Sequence, residues 1–430
     1  MNLLERITDI WRDSSDPFLI SSRGELFVSQ IRSSLPDLSM VTTGDVVALI
    51  GDFDSSSIAS LLYLFDLGAI VMPLSNLTKV DHDYFFHEGK VQFVVEDSTC
   101  TSIAPLQEHE LLNNLRQLNH PGLILFSTGT TGRPKAILHD MTEFIGRYGT
   151  PRPALRTLSF LLFDHIGGIN TLLHTLFNRG LIVAPEERTV SSILETCAHH
   201  NIELLPTTPT FLRMLLTSGL VPSGVPDCLQ VITYGTERMD NGTLIMLCQL
   251  LPKIDFRQTY GMSELGILRV KSAARDSLFM SIGGEGIETR VINNSLQIRS
   301  KSRMLGYLNA DSPFFDAGWY DTKDLVEEMD GKIRISGRIS EFVNVGGLKF
   351  MLSEVERVAI KIPGVSLVSA VARDNPITGQ HVELTIQPKD NFSLKKIDVQ
   401  KYLKETLQPH MRPLRVTIGP VAVGHRFKKI

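Results

Sequence analysis

A loop rich in glycine and hydroxyl side chains, with one lysine, follows the apolar run GLILF at residues 122–126. It reads Ser127-Thr128-Gly129-Thr130-Thr131-Gly132-Arg133-Pro134-Lys135-Ala136. Glycines allow backbone N–H groups to turn toward a bound anion, hydroxyls add donors, and lysine adds positive charge. The spacing G-x-x-G-x-x-K is not that of a Walker loop, in which lysine directly follows the second glycine. The segment therefore predicts a polyphosphate-binding loop of another kind.

This loop resembles the phosphate-binding signature of the adenylate-forming superfamily, which includes acyl-CoA synthetases, amino-acid adenylation domains and luciferases. The similarity also covers residues 44–76, and further motifs follow in the family's order over nearly the whole chain. It implies that Lys135 is a catalytic cation. It also implies phosphate contacts from the loop residues Ser127, Thr128, Gly129, Thr130, Thr131 and Gly132.

A second motif, Gln258-Thr259-Tyr260-Gly261-Met262-Ser263-Glu264, is similar to the family's Y-G-x-[ST]-E segment. The similarity implies that Tyr260 stacks on adenine beside Gly261, since a planar ring suits that face. Ser263 would contact a phosphate. Glu264 would act in catalysis by holding the Mg²⁺ that bridges the ATP phosphates, because a hard cation prefers carboxylate oxygen.

A third segment stands where the family has a Gly-Gly-Glu-type loop beside the adenine. Gly235, Thr236 and Glu237 match it, although the first glycine is replaced by Tyr234. The alternative is a simple strand-to-helix turn in which Thr236 caps the helix.

The segment GWYDTKDL at residues 318–325 resembles the family's G-W-[FY]-x-T-G-D-[LI] pattern, with Lys323 where glycine is usual. Asp324 would accept hydrogen bonds from both ribose hydroxyls, a task for an ionised acceptor in a fixed position. Further along, GRISE resembles the segment that joins the large and small domains of the family. Arg338 in it would contact ribose or phosphate, and Ser340 stands where the family commonly has Asp or Lys.

The C-terminal part contains two more matches. Gly347 would be the small residue that lets a pantetheine thiol pass the backbone, and a plain hairpin glycine is the alternative. The family usually ends P-x-x-x-x-G-K-[IV], with a catalytic lysine, and two alignments compete for that lysine. Counting from the chain end selects Lys429, whereas anchoring on Gly424 selects His425, whose neutral ring is a poorer counter-charge at pH 7. We prefer Lys429, with a merely solvated basic tail as the alternative.

The segment LLFDHIGG at residues 161–168 aligns with the family's carboxylate pocket. An Asp at this point in amino-acid-activating relatives faces the α-ammonium group, whereas acyl-CoA synthetases more often have a Phe-His pair. Asp164 and His165 offer both. The glycines that follow resemble the H-x-G-G shape of acyl-CoA synthetases, so we expect an acyl or aryl acid, with residues 206–209 bordering the same pocket.

Alternating hydrophobic patterns predict the elements that position these residues. Residues 46–50, 58–67 and 69–72 indicate a strand-helix-strand unit, hence a parallel sheet, and the alternation continues to about residue 235. Short strands with hairpin turns follow after about residue 285. We expect an α/β fold: a large N-terminal domain (1–336) of parallel-sheet subdomains plus a small β-rich part, a hinge (337–341), and a small mobile α+β domain (342–430).

Composition narrows the function further. The chain has 430 residues, with 43 Lys+Arg, 47 Asp+Glu and no long basic block. It therefore lacks the charge pattern of a protein that binds nucleic acid or an anionic membrane. Four cysteines without a C-x-x-C pair argue against a zinc ribbon, an iron–sulfur site or a disulfide framework, and we expect all four to be buried. The N-terminus is no secretory signal, and the longest apolar stretch (61–74) is too short to span a bilayer. We expect a cytoplasmic protein without a transmembrane segment.

The resemblance implies a ligase that uses ATP and Mg²⁺ to convert a small carboxylic acid to an acyl-adenylate and then to a thioester. The thiol would belong to coenzyme A or a pantetheinylated acyl carrier protein, which we expect to be a separate molecule because the sequence ends at Ile430. Two alternatives are a stand-alone amino-acid adenylating enzyme that loads a separate carrier protein, and a catalytically weakened nucleotide-binding relative. The oligomeric state is open, with a homodimer among the alternatives.

The two tail alignments predict different variants. We expect Lys429→Ala to lower ATP–pyrophosphate exchange by about 100-fold, since a charge that stabilises the transition state is lost. His425→Ala should leave the exchange rate close to that of the parent chain. The reverse pattern would contradict the Lys429 alignment.

Overall fold

The computed structural model describes residues 2–127, 133–389 and 392–424. Its helices are α1 (Leu3–Ile10), α2 (Ser55–Leu67), α3 (His82–Gly89), α4 (Glu110–Leu118), α5 (Met141–Gly146), α6 (Ile166–Phe177), α7 (Val190–His199), α8 (Pro209–Thr217), α9 (Asn241–Leu250), α10 (Leu352–Ala359) and α11 (Lys396–Thr406).

The strands of the same residues belong to four sheets. They are β1 (Leu19–Ser21), β2 (Gly24–Leu26), β3 (Val46–Ile50), β4 (Ile70–Leu74), β5 (Phe93–Glu96), β6 (Thr99–Ser102), β7 (Gly122–Phe126), β8 (Ala136–Asp140), β9 (Arg156–Leu158), β10 (Leu181–Val183), β11 (Leu204–Thr207), β12 (Val231–Tyr234), β13 (Asp255–Gln258), β14 (Tyr260–Met262), β15 (Gly266–Ser272), β16 (Met280–Gly283), β17 (Ile287–Ile292), β18 (Ser295–Ser300), β19 (Gly306–Tyr307), β20 (Phe314–Phe315), β21 (Trp319–Met329), β22 (Lys332–Arg338), β23 (Phe342–Val345), β24 (Leu348–Met351), β25 (Val365–Asn375), β26 (Gly379–Pro388) and β27 (Arg415–Ile418).

Two seven-stranded sheets contain most of the N-terminal strands. The first has the order β13-β12-β11-β9-β10-β1-β2 and the second β19-β8-β7-β4-β3-β5-β6. Strands β3 and β4 pair in parallel across α2, as the strand-helix-strand pattern predicts. One hydrophobic cluster joins the sheets: it includes Val47 and Leu123 from the second, Ile182 from the first, and Leu61 and Leu172 from α2 and α6. The cluster between the sheets covers one face of β3, and a second cluster with residues of α3 and α4 covers the other, so β3 is buried on both faces.

Helix α2 shows how the local sequence fixes one of these connections. The Asp54 side chain accepts a hydrogen bond from the Ser57 N–H at 2.9 Å, which caps the first turn. The helix ends at Gly68, whose φ of 85° lies in the left-handed region that favours glycine. The chain then turns directly into β4.

The third sheet is antiparallel and contains eight strands, β14 to β18 and β20 to β22. The predicted turns are confirmed: Asn293 and Asn294 have positive φ between β17 and β18, and Asp330 and Gly331 between β21 and β22. The fourth sheet contains β23 to β27 and packs its own hydrophobic core, to which α10 and α11 contribute Val355, Val399 and Leu403. The fold is thus α/β, with a large N-terminal part and a small C-terminal α+β part.

One expectation about the cysteines is wrong. Cys197 is buried, but Cys100, Cys228 and Cys248 are only half-buried, and all four are free thiols. In the part of the chain that the structure describes, no helix combines the length and the apolar character required to cross a membrane.

Two consecutive glycines of α6 differ sharply in the space around them. A Cβ on Gly168 would lie 2.0 Å from the main-chain oxygen of Leu162, whereas a Cβ on Gly167 would first meet the Leu161 Cδ1 at 2.6 Å. Backbone cannot move aside as a leucine methyl can. We expect Gly168→Ala to lower the free energy of unfolding by about 2–3 kcal/mol in urea denaturation, and the control Gly167→Ala to lower it less. An equal loss of the free energy of unfolding in both variants would contradict this difference in available space.

Candidate active site

The predicted phosphate loop connects β7 and β8, which pair antiparallel with Phe126 opposite Ala136. The Ser127 N–H donates to the main-chain carbonyl of Lys135 at 3.0 Å, and the Lys135 N–H donates to the Ser127 hydroxyl at 3.0 Å. These bonds bring the two ends of the loop together. The predicted residues between them, Thr128, Gly129, Thr130, Thr131 and Gly132, lie outside the described residues.

The base of the loop is held by two residues that the sequence analysis missed. The Tyr84 hydroxyl donates to the main-chain carbonyl of Pro134 at 2.9 Å, and the Asn309 side-chain amide donates to the same carbonyl at 3.2 Å. The Asn309 side-chain oxygen also accepts from the Ala136 N–H at 2.9 Å. Asn309 is 173 residues from Ala136 in sequence, and no local pattern marks it.

Tyr307 brings the predicted catalytic cation and carboxylate together. The Lys135 Nζ lies 4.7 Å from the centre of the Tyr307 ring, and the Tyr307 hydroxyl donates to Glu264 Oε1 at 2.9 Å. Burial, and next the Glu264 charge, raise the pKa of Tyr307 far above its ordinary value, so its hydroxyl remains a donor throughout the physiological range. The Lys135 ammonium and the Glu264 carboxylate thus both contact Tyr307, next to the end of the loop.

The Glu264 carboxylate fits a hard divalent cation. Within the described residues, no group of three or more His, Cys, Asp or Glu side chains could hold a metal ion by itself. A cation at Glu264 would therefore share its coordination with oxygens of a bound phosphate or water, which is how Mg²⁺ is commonly held.

A second network joins Tyr260 and Arg338 to the buried carboxylate of Asp324. The Tyr260 hydroxyl donates to Asp324 Oδ2 at 2.6 Å, and the Arg338 Nε donates to Asp324 Oδ1 at 2.6 Å. Asp324 is 3% exposed, and its own N–H donates to the Thr322 hydroxyl at 3.0 Å. The structure therefore brings the predicted adenine, ribose and phosphate contacts together around one carboxylate.

The charges of this network are mutually stabilising. Burial, then the Asp324 charge, raise the pKa of Tyr260 well above its ordinary value. For Arg338, burial lowers the pKa, but the Asp324 carboxylate outweighs it and the pKa is raised. Tyr260 stays a neutral donor and Arg338 a cation, so both oxygens of Asp324 are held in fixed directions.

The loop 235–237 follows β12 at the carboxyl end of the first sheet. A Cβ on Gly235 would lie 2.2 Å from the Thr259 hydroxyl, so only glycine fits there. Thr236 has a positive φ of 68°, and the cap of α9 is Asp240, which accepts from the Thr243 N–H at 2.8 Å. Thr236 is therefore not the helix cap, although the segment does connect β12 to α9. Glu237 accepts a hydrogen bond from the Thr210 hydroxyl at 2.7 Å.

Two buried polar atoms near this loop need an external partner. Within the described residues, the Thr236 hydroxyl and Gln258 Oε1 have no hydrogen bond although both atoms are buried. Buried polar groups without a partner are rare and costly, so they point to a polar ligand. Gln258 precedes the Tyr260 motif and was not predicted as a site residue. The signal that could have identified it is its position at the end of β13, next to β12.

The predicted acid pocket lies where α6 begins. His165 precedes the helix, and its Nδ1 accepts from the Gly167 N–H at 3.0 Å. Asp164 is 4% exposed, and its charge, with that of Asp52, acts on the buried guanidinium of Arg188. Burial lowers the pKa of Arg188, and the two carboxylates oppose that effect. Arg188, which also donates to the Phe160 carbonyl at 3.2 Å, was not predicted from the sequence.

The other predicted site residues lie in the β14–β15 hairpin, in the β23–β24 turn or outside the described residues. Gly261 and Ser263 are in the β14–β15 hairpin with Glu264. Gly261 has no room for a side chain, since a Cβ would lie 2.5 Å from the Gly266 main-chain oxygen. Gly347 is in the β23–β24 turn with φ of 88°, and no heavy atom of the described residues lies near its Cβ position. Lys429 and His425 lie outside the described residues.

Lys323 shows why glycine is usual at its position. Its φ is 59°, a left-handed conformation, and its N–H and Nζ both bond to Asp321, at 3.1 Å and 2.6 Å. The ion pair with Asp321 offsets part of the backbone strain that a non-glycine residue has there.

The fold and these two carboxylate networks define a nucleotide-binding α/β protein of the adenylate-forming type. Residues 28–307 match the model of the AMP-binding enzyme family. The chain belongs to that family.

The individual relatives share only about a quarter of the aligned residues with this chain. The chain is 26% identical over 293 residues to a sulfoacetate–CoA ligase of Cupriavidus necator, an alignment that covers 62% of this chain and 57% of the relative. It is 27% identical over 285 residues to the medium/long-chain-fatty-acid–[acyl-carrier-protein] ligase FadD10 of Mycobacterium tuberculosis, covering 57% and 52%. The chain thus spans about half the length of the curated relatives it matches.

Solved structures show the same fold over the whole chain. The anthranilate CoA ligase AuaEII in complex with anthranoyl-AMP has a TM-score of 0.80 at 15% identity, covering 100% of this chain and 95% of that one. MatB from Rhodopseudomonas palustris with ATP bound has a TM-score of 0.78 at 17% identity, covering 99% and 97%.

The Asp324 network predicts the effect of single-atom changes on ATP binding. We expect Tyr260→Phe to weaken ATP binding by about tenfold, since a hydrogen bond to a charged group is lost, and Asp324→Asn to weaken it further. Tyr63→Phe, on α2, is the control and should bind as the parent chain does. Calorimetric titration with ATP measures all three, and unchanged affinity in Tyr260→Phe would contradict the role of this hydroxyl.

Proposed function

We propose that this chain is an AMP-forming acid–thiol ligase that activates a small carboxylic acid with ATP. In the first step a carboxylate oxygen attacks the α-phosphorus, the bond to the β-phosphate oxygen breaks, and pyrophosphate leaves. In the second step a thiol sulfur of coenzyme A or a carrier-protein pantetheine attacks the acyl carbon. AMP leaves with the bonding electron pair, and the thiol proton passes to the surrounding solution.

The observation that carries this proposal is the placement of Lys135 over the ring of Tyr307 and of Glu264 at its hydroxyl. The Lys135 ammonium would bind phosphate oxygens and offset the negative charge that grows during the attack. Bound Mg²⁺ would neutralise the charge of the pyrophosphate leaving group, and the Glu264 carboxylate would hold the Mg²⁺. Catalysis would rest on position and charge, without a covalent enzyme intermediate.

The second network would bind the nucleoside. Asp324, fixed by Tyr260 and Arg338, would accept the ribose hydroxyls. The unpaired atoms of Gln258 and Thr236 are an acceptor and a hydroxyl, which suit the exocyclic amine and ring nitrogens of adenine. Gly235 and Gly261, which have no room for a side chain, would keep this surface flat.

An acyl or aryl acid is the substrate class that the pocket supports best. The charge of Asp164 already acts on the Arg188 guanidinium, so the ammonium group of an amino acid would have to compete with that cation. The relatives named as CoA and acyl-carrier-protein ligases agree with this choice. The rival of a stand-alone amino-acid adenylating enzyme would require Asp164 to leave Arg188. A catalytically weakened relative would not need both carboxylate networks intact.

We further propose that residues 1–336 form the ATP- and acid-binding domain, 337–341 a hinge, and 342–430 a small domain that supplies Lys429 and Gly347. Support comes from the separate sheet and hydrophobic core that begin at Phe342. Arg238 of the large part lies in the field of Glu341 from the hinge and of Glu356 from the small part.

ATP–pyrophosphate exchange across fatty acids, aryl acids and amino acids tests the proposal. We expect exchange with an acyl or aryl acid and a loss of about 100-fold in Lys135→Ala, because a charge at the reacting phosphate is removed. Lys253→Ala is the matched control: Lys253 is an exposed lysine outside the loop, and its ammonium lies 3.1 Å from the Asp227 carboxylate, so this variant should keep full exchange.

The other outcomes separate the rivals. Exchange only with amino acids would replace the acyl substrate with the amino-acid alternative. No exchange with any acid, despite calorimetric binding of ATP, would contradict the ligase proposal and favour the weakened relative.

A further inference from the structure

His139 links the phosphate loop to the turn that contains Glu264. It lies on β8, the strand that starts directly after Lys135, and it is 1% exposed. Its Nε2 lies 2.6 Å from the main-chain carbonyl oxygen of Ser263, a residue 124 positions away in sequence. Because a carbonyl oxygen only accepts, the imidazole must donate this hydrogen bond from Nε2.

The turn at Ser263 and Glu264 is fixed from two directions. On one side, the Met304 N–H donates to the main-chain carbonyl of Glu264 at 2.8 Å, and the Tyr307 hydroxyl donates to the carboxylate. On the other side, His139 donates to the preceding carbonyl. Without the His139 bond, the Ser263 carbonyl would lose this partner, and the turn would lose its hydrogen bond to β8.

The surroundings of the imidazole keep it neutral. Its ring meets that of Phe144 edge to face at 5.8 Å, and Arg147 is the cation that acts on it. Burial, with a smaller effect of Arg147, lowers the pKa of His139 to about 4. The proton therefore stays on Nε2 at neutral pH, and the hydrogen bond to Ser263 has a single direction.

We propose that His139 is a positioning residue that holds the Glu264 carboxylate in register with Lys135 for the binding of a metal–nucleotide complex. The inference rests on the proposed function of this site. His139 touches neither substrate nor metal; it acts through the Ser263 carbonyl.

The test uses two amides of different length. His139→Gln can place an N–H near the position of Nε2, whereas His139→Asn has the same chemistry but is one methylene too short; His139→Leu removes the donor. For each protein, calorimetry gives the affinity for ATP with Mg²⁺ and with EDTA, and the ratio of the two measures the metal-dependent part of binding.

We expect the ratio to fall about tenfold in His139→Asn and His139→Leu, as is typical when a partner of a metal ligand is lost. His139→Gln should keep the parent ratio, and binding in EDTA should be similar in all folded variants. Thermal unfolding identifies any variant that does not fold, and the comparison of Gln with Asn does not depend on Leu.

Three results would overturn the inference: a parent chain that binds ATP no better with Mg²⁺ than with EDTA, an unchanged ratio in His139→Asn, or equal losses in Gln and Asn. The ratio requires no acid substrate and no turnover. A chain that shows the expected ratios but exchanges pyrophosphate with no acid would refute the ligase proposal and leave the role of His139 intact.

Discussion

The pairing of β8 with β19 is the constraint on which the site depends. Ile137 lies opposite Tyr307, and Leu138 opposite Gly306, across an antiparallel pair whose strands are far apart in sequence. The Leu308 N–H donates to the Ala136 carbonyl at 2.9 Å, and the Asn309 side-chain oxygen accepts from the Ala136 N–H. Since β8 begins directly after Lys135, this short ladder fixes where the lysine and the Tyr307 ring meet.

Both carboxylates of the site are held by tyrosine hydroxyls whose pKa values are raised by burial and by the carboxylate itself. Glu264 accepts from Tyr307, and Asp324 from Tyr260. A neutral donor orients a carboxylate without cancelling its charge. Glu264 therefore keeps its attraction for a cation, whereas the Arg338 guanidinium partly compensates the charge of Asp324. The two carboxylates have the same chemistry but different local charge, which suits one to a metal ion and the other to neutral hydroxyls.

The parallel strands of the first sheet explain the location of the proposed nucleoside surface. β11, β12 and β13 end in register, with Thr207, Tyr234 and Gln258 on the same rung. The carboxyl ends of adjacent parallel strands open onto one edge, where ligands bind in open α/β sheets. The loop at Gly235 and the Tyr260 hairpin both begin at this edge, so residues from separate motifs face the same space.

The sequence by itself determined the α/β class, the hairpin turns and the family, because hydrophobic periodicity, turn residues and short motifs are local signals. It also predicted Lys135, Glu264, Tyr260 and Asp324 as site residues, since each lies within a contiguous motif. Only the tertiary structure revealed Asn309, Tyr307 and Arg188, whose partners lie on other strands or loops. His139 is the clearest example: on β8 it looks like an ordinary strand residue, and its hydrogen bond to Ser263 exists only because the β14–β15 hairpin folds back onto that strand. Local patterns report what a residue is suited to do, whereas long-range packing decides which residues support it.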